Sequence, residues 1–254
     1  MQDMRAALYD LVDSYPESER KVQAQDVDRT LFHLHMISHD HDDDHGFLRV
    51  CDIGAGIGLL PFACALAGMK VTIIDDFCDD GMAELYAAME PLYRAHGIKV
   101  LRGDICDLSV PDTTFDVVFS NRMLEHLHHS PRAGFHRIRE AVVPGGRLIL
   151  GAPNCTNLRK RLLMLTGQFA WSPLQDWYFS PRFRGHVREP RVADLVTIAK
   201  DLDLSSIEVI GRNWLGYRSK SPMLRRLMPL VDPVISYFPS LCSDIYVKGQ
   251  KRDG

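Results

Sequence analysis

The sequence contains no run of about 18 apolar residues, so it predicts no membrane-spanning helix. The first ten residues, "MQDMRAALYD", have no apolar stretch after their positive charge, and we therefore expect no secretory signal. The six cysteines are scattered without a C-x-x-C pair, and three of them lie in apolar patterns that suit a reduced thiol. These absences favour a reducing, cytoplasmic setting.

The chain also has no internal repeat, low-complexity tract or linker. Its 254 residues, 46% hydrophobic and 25% charged, indicate one globular domain spanning 1–254. Within it we expect N-terminal helices over 1–38 and a lid or acceptor segment over about 155–190. The net charge of −3 is unevenly distributed: residues 1–154 carry −10, whereas residues 155–226 carry +7. The positive segment favours an anionic partner, although a solvated face without a partner would have the same composition.

From residue 48 onward, short apolar runs alternate with segments of helical length. The runs at 48–54, 70–75, 98–104, 115–121 and 146–154 have little polar alternation, which is typical of parallel strands covered on both faces. Helices are predicted between them, at 57–68, 79–96, 122–128 and 131–142. A helix over 191–204 and strands over 205–213 and 243–251 follow an aromatic, proline-containing stretch at 167–190. The pattern predicts an α/β fold with a doubly wound open sheet.

The stretch "RVCDIGAGIGLL" carries the strongest functional signal. A buried strand ends near Asp52, and Gly54, Gly56 and Gly58 turn the chain toward a helix whose free N–H groups would face a ligand. The glycine spacing does not match the G-x-G-x-x-G of dinucleotide folds. The next strand, "VTIID", ends in Asp75, where an open α/β sheet places an acid for ribose hydroxyls.

With these motifs the sequence resembles the class I S-adenosylmethionine (SAM) dependent methyltransferases, closely over about 48–154 and loosely over 186–249. "VCDIGAGIG" resembles the family's SAM loop, "RGDICDLSVPDTTFDVVFSNRMLEHL" its adenine-binding segment, and "VVPGGRLILGAPN" its fifth-strand hairpin. The resemblance implies a Rossmann-like sheet of seven strands, mostly parallel with an antiparallel last strand, and S-adenosyl-L-homocysteine as the product. It assigns cofactor binding to Asp52, Gly54, Ala55, Gly56, Gly58, Asp75, Asp76, Asp104, Ile105, Asn121 and Arg122.

Methyl transfer to a hydroxyl requires a base near the acceptor, because the hydroxyl must lose its proton. In "NRMLEHLHH", Glu125 and His126 would begin the helix after the fourth strand, and His126 is the first candidate base. His186 in "RGHVREP" matches a lid histidine of related O-methyltransferases. For both histidines the alternative is a structural role. His128 and His129 are expected to be solvated.

Some relatives bind a divalent metal through E-x-x-E-H and a later histidine. Here Arg122 occupies the first position, so the motif is incomplete, and its charge would disfavour a cation. We therefore assign no metal ligands and treat a divalent metal as a secondary possibility.

The stretch from "GAPNCTNLRKRLLMLTG" to "GHVREPRVADL" most resembles O-methyltransferases of polysaccharide and glycolipid biosynthesis. The leading hypothesis is therefore O-methylation of an anionic sugar, glycan or glycolipid intermediate. Alternatives are O- or N-methylation of a small aromatic or quinone-like metabolite, RNA methylation, and a non-catalytic SAM-binding subunit; a pI near 6.4 argues against a stable nucleic-acid partner. Four aromatic residues of the lid could stack on a ring acceptor: Trp171, Trp177, Tyr178 and Phe179. Five basic residues could hold phosphates: Arg159, Lys160, Arg161, Arg182 and Arg184.

The apolar stretch 223–241 is expected to cover the core between the last two strands, with peripheral membrane contact as the alternative. The stretch "FHLHMISHDHDDDHG" at 32–46 is rich in metal-type ligands. It precedes the first strand, however, and so enters at the amino end of the sheet, opposite the SAM loop. We therefore interpret it as an acidic loop rather than the active site, with His33 and His35 on the preceding helix. The sequence does not specify the oligomeric state.

Overall fold

Strands and helices alternate along most of the chain, as the apolar runs predict. The computed structural model describes residues 2–39, 48–78, 81–107, 114–168, 172–180, 183, 185–217 and 221–252. These residues fall into two compact units. Unit 1 consists of Met1–Ser120 with Gly134–Arg147, and unit 2 of Asn121–Ala133 with Leu148–Gly254.

The described residues contain a seven-stranded sheet and nine α-helices. The strands are β1 Arg49–Ile53, β2 Lys70–Asp75, β3 Lys99–Arg102, β4 Phe115–Asn121, β5 Val142–Pro153, β6 Leu204–Arg212 and β7 Asp244–Lys251. The helices are α1 Gln2–Val12, α2 Glu17–Ser38, α3 Leu60–Leu66, α4 Met82–Ala95, α5 Arg132–Ala141, α6 Leu158–Leu165, α7 Val192–Asp201, α8 Trp214–Tyr217 and α9 Pro222–Ile235.

The sheet has the order β3-β2-β1-β4-β5-β7-β6. β1 pairs in parallel with β2 and β4, β2 pairs in parallel with β3, and β7 runs antiparallel to β6. The carboxyl ends of β1, β2 and β4 therefore lie at one edge of the sheet, where ligands bind in open α/β folds. This topology confirms the predicted doubly wound sheet with an antiparallel last strand.

In unit 1, the central strands are buried on both faces. Val50, Cys51, Ile73 and Ile74 are all nearly inaccessible, which explains why β1 and β2 are continuous apolar runs rather than alternating ones. The buried guanidinium of Arg147 donates hydrogen bonds to the carbonyls of Met36 and Ile37. These carbonyls belong to the last turn of α2, which has no intrahelical donors for them, so Arg147 satisfies that helix end.

In unit 2, β6 and β7 form an antiparallel ladder that α7 contacts. Asn154 links the end of β5 to the segment before β7, since its side-chain amide donates to the carbonyls of Ser240 and Cys242 at 3.0 Å each. Its carbonyl oxygen accepts from the backbone N–H of Thr156 at 2.9 Å. One buried side chain thus holds the turn that leads from β5 into α6.

Four predicted elements differ from the structure. The helix predicted at 122–128 is a single 3₁₀ turn, Leu124–His126, because Arg122 before it has a left-handed φ of 59° and Leu127 after it is extended, with a ψ of 122°. β5 begins at Val142 rather than at 146. The aromatic stretch at 167–190, part of the expected lid segment, contains a π-helical turn, Gln175–Phe179. The fourth difference is α9, described below with its exposed face.

The acidic stretch is only partly described. His33 lies in α2 with its ring 4.9 Å from that of Phe119 on β4, so it packs toward the sheet. His35 is exposed, and the remaining residues from 40 to 46 lie outside the described residues. No helix in the described part of the chain has the length and apolar character needed to cross a bilayer.

Candidate active site

The loop at residues 54–58 follows β1 in unit 1 and adopts a conformation that requires glycine. Gly54 and Gly56 have φ values of 68° and 52°, a region in which a Cβ is strained. The backbone N–H of Gly54 donates to the carbonyl of Ile74 at 2.8 Å, and that of Gly58 to the carbonyl of Ala55 at 3.0 Å. We call residues 54–58 the glycine loop.

Asp75 holds the glycine loop in place. One oxygen of its carboxylate accepts from the N–H of Gly56 and the other from the N–H of Phe77, both at 2.8 Å. The hydroxyl of Tyr93 donates to the carbonyl of Gly56 at 3.1 Å, so both backbone polar groups of Gly56 are fixed. A carboxylate oxygen can accept more than one hydrogen bond. Asp75 can therefore organise the loop and still bind ribose hydroxyls as predicted.

Asp52 lies at the end of β1 and is 6% exposed. Burial, together with the negative charge of Asp75, raises the pKa of Asp52 well above its ordinary value. A positive charge bound beside the two carboxyl groups would favour the ionised form of Asp52. The glycine loop is thus an environment that suits a cationic ligand such as a sulfonium.

The remaining cofactor candidates of unit 1 differ in exposure. Asp104 accepts from the N–H of Cys106 at 2.7 Å, and Ile105 beside it is buried. Asp76 is exposed and accepts from the N–H of Cys78 at 3.0 Å. Asp104 and Ile105 form a fixed turn, whereas Asp76 lies at the surface.

In unit 2, Asn121 and Arg122 end β4. The buried Oδ1 of Asn121 has no hydrogen-bond partner among the described residues. The guanidinium of Arg122 binds the carboxylate of Asp244 at 2.8 Å, and Asp244 is 1% exposed. Burial opposes the charge of Arg122, but Asp244 outweighs it and raises the pKa of Arg122. Arg122 is therefore a neutralised cation, which weakens the electrostatic argument against a nearby metal.

Glu125 is the most unusual ionisable group of unit 2. Its side chain is completely buried, and neither carboxylate oxygen has a hydrogen-bond partner in the described part of the chain. Burial raises its pKa to about 7, although the positive charges of His186 and Arg122 partly oppose the shift. An unsatisfied buried carboxylate is costly, and such groups are concentrated at functional sites.

His186 lies beside Glu125 and is fixed by Glu189. Nδ1 of His186 is 2.7 Å from one carboxylate oxygen of Glu189, and the ammonium group of Lys160 binds the other oxygen. Burial acts to raise the pKa of Glu189, but hydrogen bonds from His186 and Lys160 outweigh it and hold that pKa below its usual value. An ionised Glu189 can only accept, so Nδ1 carries the proton. In the neutral ring Nε2, 4.0 Å from Glu125, then has a free lone pair.

His126 completes the cluster. It is exposed on the 3₁₀ turn, and its ring centroid is 4.9 Å from that of His186 in an edge-on arrangement. Ligand atoms of Glu125, His126 and His186 all lie within 4.8 Å of one another. We call these three residues with Glu189 the Glu/His cluster. Its carboxylate and imidazole donors fit a divalent cation, and the unsatisfied oxygens of Glu125 support that fit.

Sequence reasoning identified Glu125, His126 and His186 but not Glu189. Glu189 follows His186 by three residues in "GHVRE", so their proximity in the sequence was visible. No local pattern shows that the two side chains bond. Lys160 was assigned to phosphate binding, whereas it pairs with Glu189. Arg161 donates to the carbonyl of Ser240 at 3.1 Å.

Among the described residues, no contact links the other predicted acceptor residues to the Glu/His cluster. Trp177, Tyr178 and Phe179 are strongly exposed on the π-helical turn, and His128 and His129 are exposed as expected. Trp171, Arg182 and Arg184 lie outside the described residues.

Comparison with known proteins identifies residues 51–150 as a methyltransferase domain. The chain is 34% identical over 119 residues to a mitochondrial ubiquinone biosynthesis O-methyltransferase of Schizosaccharomyces pombe, covering 46% of this chain and 42% of that protein. It is 27% identical over 186 residues to a ubiquinone biosynthesis O-methyltransferase of Xanthomonas oryzae pv. oryzae, covering 70% and 71%. The chain thus spans less than half the length of the first relative.

The fold also matches solved structures. A phosphoethanolamine N-methyltransferase 2 of Haemonchus contortus, in complex with S-adenosyl-L-methionine, superimposes with a TM-score of 0.57 at 18% identity, covering 89% of this chain and 53% of that one. At that identity the likeness concerns the fold. The fold of this chain is thus the Rossmann-like fold that the sequence predicted.

The comparisons overturn the leading acceptor hypothesis. The relatives are named as ubiquinone biosynthesis O-methyltransferases, not as enzymes of sugar or polysaccharide methylation, and so favour the quinone-like alternative. Two of the basic residues expected to hold phosphates of the acceptor are bonded within the chain, because Lys160 pairs with Glu189 and Arg161 binds a backbone carbonyl. The predictions of the enzyme class and of SAM as cofactor are confirmed at the level of the family. Residues 51–150 thus match the methyltransferase domain family, and the fold and the glycine loop agree with the predicted resemblance to the class I S-adenosylmethionine-dependent methyltransferases.

Proposed function

We propose that this chain transfers a methyl group from SAM to a hydroxyl of a small, quinone-like aromatic acceptor. The observation that carries the proposal is the Glu189–His186 pair, which presents the Nε2 lone pair of a fixed imidazole beside the buried Glu125. A hydroxyl acceptor needs such a base, because methyl transfer from a sulfonium leaves a proton to be removed. The names of the relatives support the acceptor class.

In this proposal the two units have separate tasks. The glycine loop, Asp75, Asp104 and Ile105 bind SAM, with Asp52 favouring the sulfonium charge. His186 accepts the proton of the acceptor hydroxyl at Nε2. Glu189 stabilises the imidazolium that results, because its carboxylate bonds Nδ1–H. The activated methyl group belongs to the cofactor, so the protein's contribution is to position the acceptor and remove its proton.

Glu125 tunes the charge of this site. With a pKa of about 7 its carboxyl group changes charge near neutral pH, and it lies 4.0 Å from Nε2 of His186. The ionised form favours a positive neighbour, either the imidazolium or a bound cation. A divalent cation held by Glu125, His126 and His186 would lower the pKa of an acceptor hydroxyl. The expectation of no metal ligand stays a prediction.

Other parts of the initial interpretation also stay predictions. The assignments of Asp76, Asn121 and Arg122 to cofactor binding are among them, as is the interpretation as one domain with a lid. A cytoplasmic location is supported by the six cysteines, all of which are free. We expect no stable nucleic-acid partner. Membrane contact through 223–241 is taken up below.

The test is a methylation assay with SAM and a simple catechol such as 3,4-dihydroxybenzoate, followed by mass spectrometry and S-adenosyl-L-homocysteine formation. We expect methylation of the phenolic hydroxyl in the wild type. The dimethoxy analogue, which has no free hydroxyl, serves as the matched control and should give no product. Methyl transfer to an amine such as dopamine's, with the catechol hydroxyls untouched, would contradict the proposal.

A further inference from the structure

Helix α9 exposes an apolar face that the fold of unit 2 does not use. Met223, Leu227, Leu230 and Val234 follow the spacing i, i+4, i+7 and i+11, so they share one side of the helix. Met223 and Leu230 are 71% and 73% exposed. Just beyond the helix, Tyr237 and Phe238 are 84% and 58% exposed. We call the residues Met223, Leu227, Leu230, Val234, Tyr237 and Phe238 the α9 face.

The helix is attached to unit 2 mainly by a polar contact on its other side. Asp232 is 3% exposed and accepts hydrogen bonds from Asn213 at 2.7 Å, Ser236 at 3.2 Å and Tyr217 at 3.3 Å. Met228, one turn before it, is the other buried residue of the described helix. This corrects the expectation that the stretch covers the core, since most of its apolar side chains point away from the protein.

The charged residues of the segment that contains this face are mostly basic. From residue 213 to residue 243 the sequence contains four basic residues and one acidic residue, the buried Asp232. Arg225 and Arg226 are exposed within α9, and Arg226 borders the apolar residues on the helical wheel. An amphipathic helix with an exposed apolar side and flanking arginines is typical of segments that lie in a membrane interface.

Another copy of the chain fits this surface less well. Most dimers are two-fold symmetric, so each face would meet an identical face. Arg226 of each copy would then lie at the border of the contact, and the segment has no exposed acid in either copy to pair with it. A bilayer that contains anionic lipids offers both an apolar interior and negative headgroups.

We propose that the α9 face docks the protein onto the surface of an anionic bilayer. The apolar side chains enter the boundary between headgroups and acyl chains, and Arg226 at their border binds the headgroups. The helix lies in the plane of the membrane and does not cross it. The inference is independent of the proposed acceptor, because it depends only on α9 and the residues that anchor it.

The test is flotation of the full chain with vesicles of phosphatidylcholine alone and with vesicles that contain about a third phosphatidylglycerol. We expect binding to the anionic vesicles and much weaker binding to the neutral ones. The triple variant Met223→Ser, Leu230→Ser, Val234→Ser should bind the anionic vesicles at least about tenfold more weakly. Replacing Arg226 by Gln should weaken binding by about fivefold.

The control variant is Val22→Ser, which removes a half-exposed apolar side chain from α2 in unit 1. It should float like the wild type, and circular dichroism should show that every variant is folded. Equal binding of the triple variant and the wild type would overturn the proposal, as would failure of the wild type to float with anionic vesicles. A concentration-dependent dimer that the triple variant abolishes, without vesicle binding, would identify a second copy as the partner instead.

Discussion

The glycine loop of unit 1 and the Glu/His cluster of unit 2 differ in how their buried polar groups are satisfied. In the glycine loop, Asp75 accepts two backbone hydrogen bonds and Gly56 has both of its backbone groups bonded. In the cluster, the fully buried Glu125 has two oxygens without a partner among the described residues. A satisfied loop is preorganised for a ligand, whereas an unsatisfied carboxylate favours reaction chemistry or a bound cation. The four predictions below test this division, in order of decreasing effect.

The largest effect is expected from His186→Ala. Removal of the base should lower the rate of methyl transfer by about 10²- to 10⁴-fold, because general base catalysis contributes on that scale. The affinity for SAM should stay near the wild-type value. Initial rates of S-adenosyl-L-homocysteine formation measure the change, with His35→Ala as the control because His35 is an exposed histidine of α2. A wild-type rate in His186→Ala would exclude His186 as the base.

Glu125→Gln should change the pH dependence of stability. The folded-state pKa of Glu125 is about 7, above the ordinary value of 4.5, so the folded protein holds a proton that the unfolded chain releases. Wild-type stability is therefore lost as pH rises from about 4.5 to about 7. Gln does not titrate, so the free energy of unfolding of the variant, relative to that of the wild type, should increase over this window by at most about 3 kcal/mol. Denaturant titrations at pH 5 and pH 8 measure the gain, and a difference that is independent of pH would contradict the raised pKa.

Glu189→Gln should act through His186. A neutral amide stabilises the imidazolium less than a carboxylate does, so the plateau of kcat/KM should be reached at a lower pH in the variant than in the wild type. Loss of such a positioning partner costs about 10- to 100-fold in activity. The pH profile of kcat/KM distinguishes this role from a structural one. A uniform loss without a shift of the profile would indicate that Glu189 only supports the fold.

The smallest effect is expected from Gly56→Ala, which distinguishes backbone strain from loss of ligand binding in the glycine loop. Gly56 and Gly97 both have positive φ values, and neither would bring an added Cβ closer than 3.8 Å to a neighbouring atom. Gly56→Ala and Gly97→Ala should each lose about 1–2 kcal/mol of stability to backbone strain. Only Gly56→Ala should also lose affinity for SAM. Calorimetric titration of both variants checks this, and equal SAM affinity would remove the loop from the binding site.

The sequence predicted the glycine loop more completely than the Glu/His cluster. Gly54, Gly56, Gly58 and Asp75 form a local pattern, because the loop and the next strand follow each other along the chain. The bond between Lys160 and Glu189 joins residues 29 positions apart, and no periodicity encodes that distance. The same limit explains why Arg122 was interpreted as a free charge, since its partner Asp244 lies on the last strand.

The errors in the fold prediction have similar causes. The predicted helix at 122–128 failed because the backbone of Arg122 is left-handed and its N–H bonds the carbonyl of Gly151, a contact with β5 that the local sequence does not show. Helix α9 was expected in the core because its composition is apolar. Its position depends instead on Asp232, whose partners Asn213 and Tyr217 precede it by 19 and 15 residues.

The most direct test of the division between the two units is one calorimetric titration of SAM into His186→Ala, with turnover measured on the same preparation. The account predicts a SAM dissociation constant close to that of the wild type together with a turnover reduced by about 10²-fold or more. A variant that loses SAM affinity in proportion to its turnover would contradict the claim that the glycine loop binds the cofactor and the Glu/His cluster acts on the acceptor.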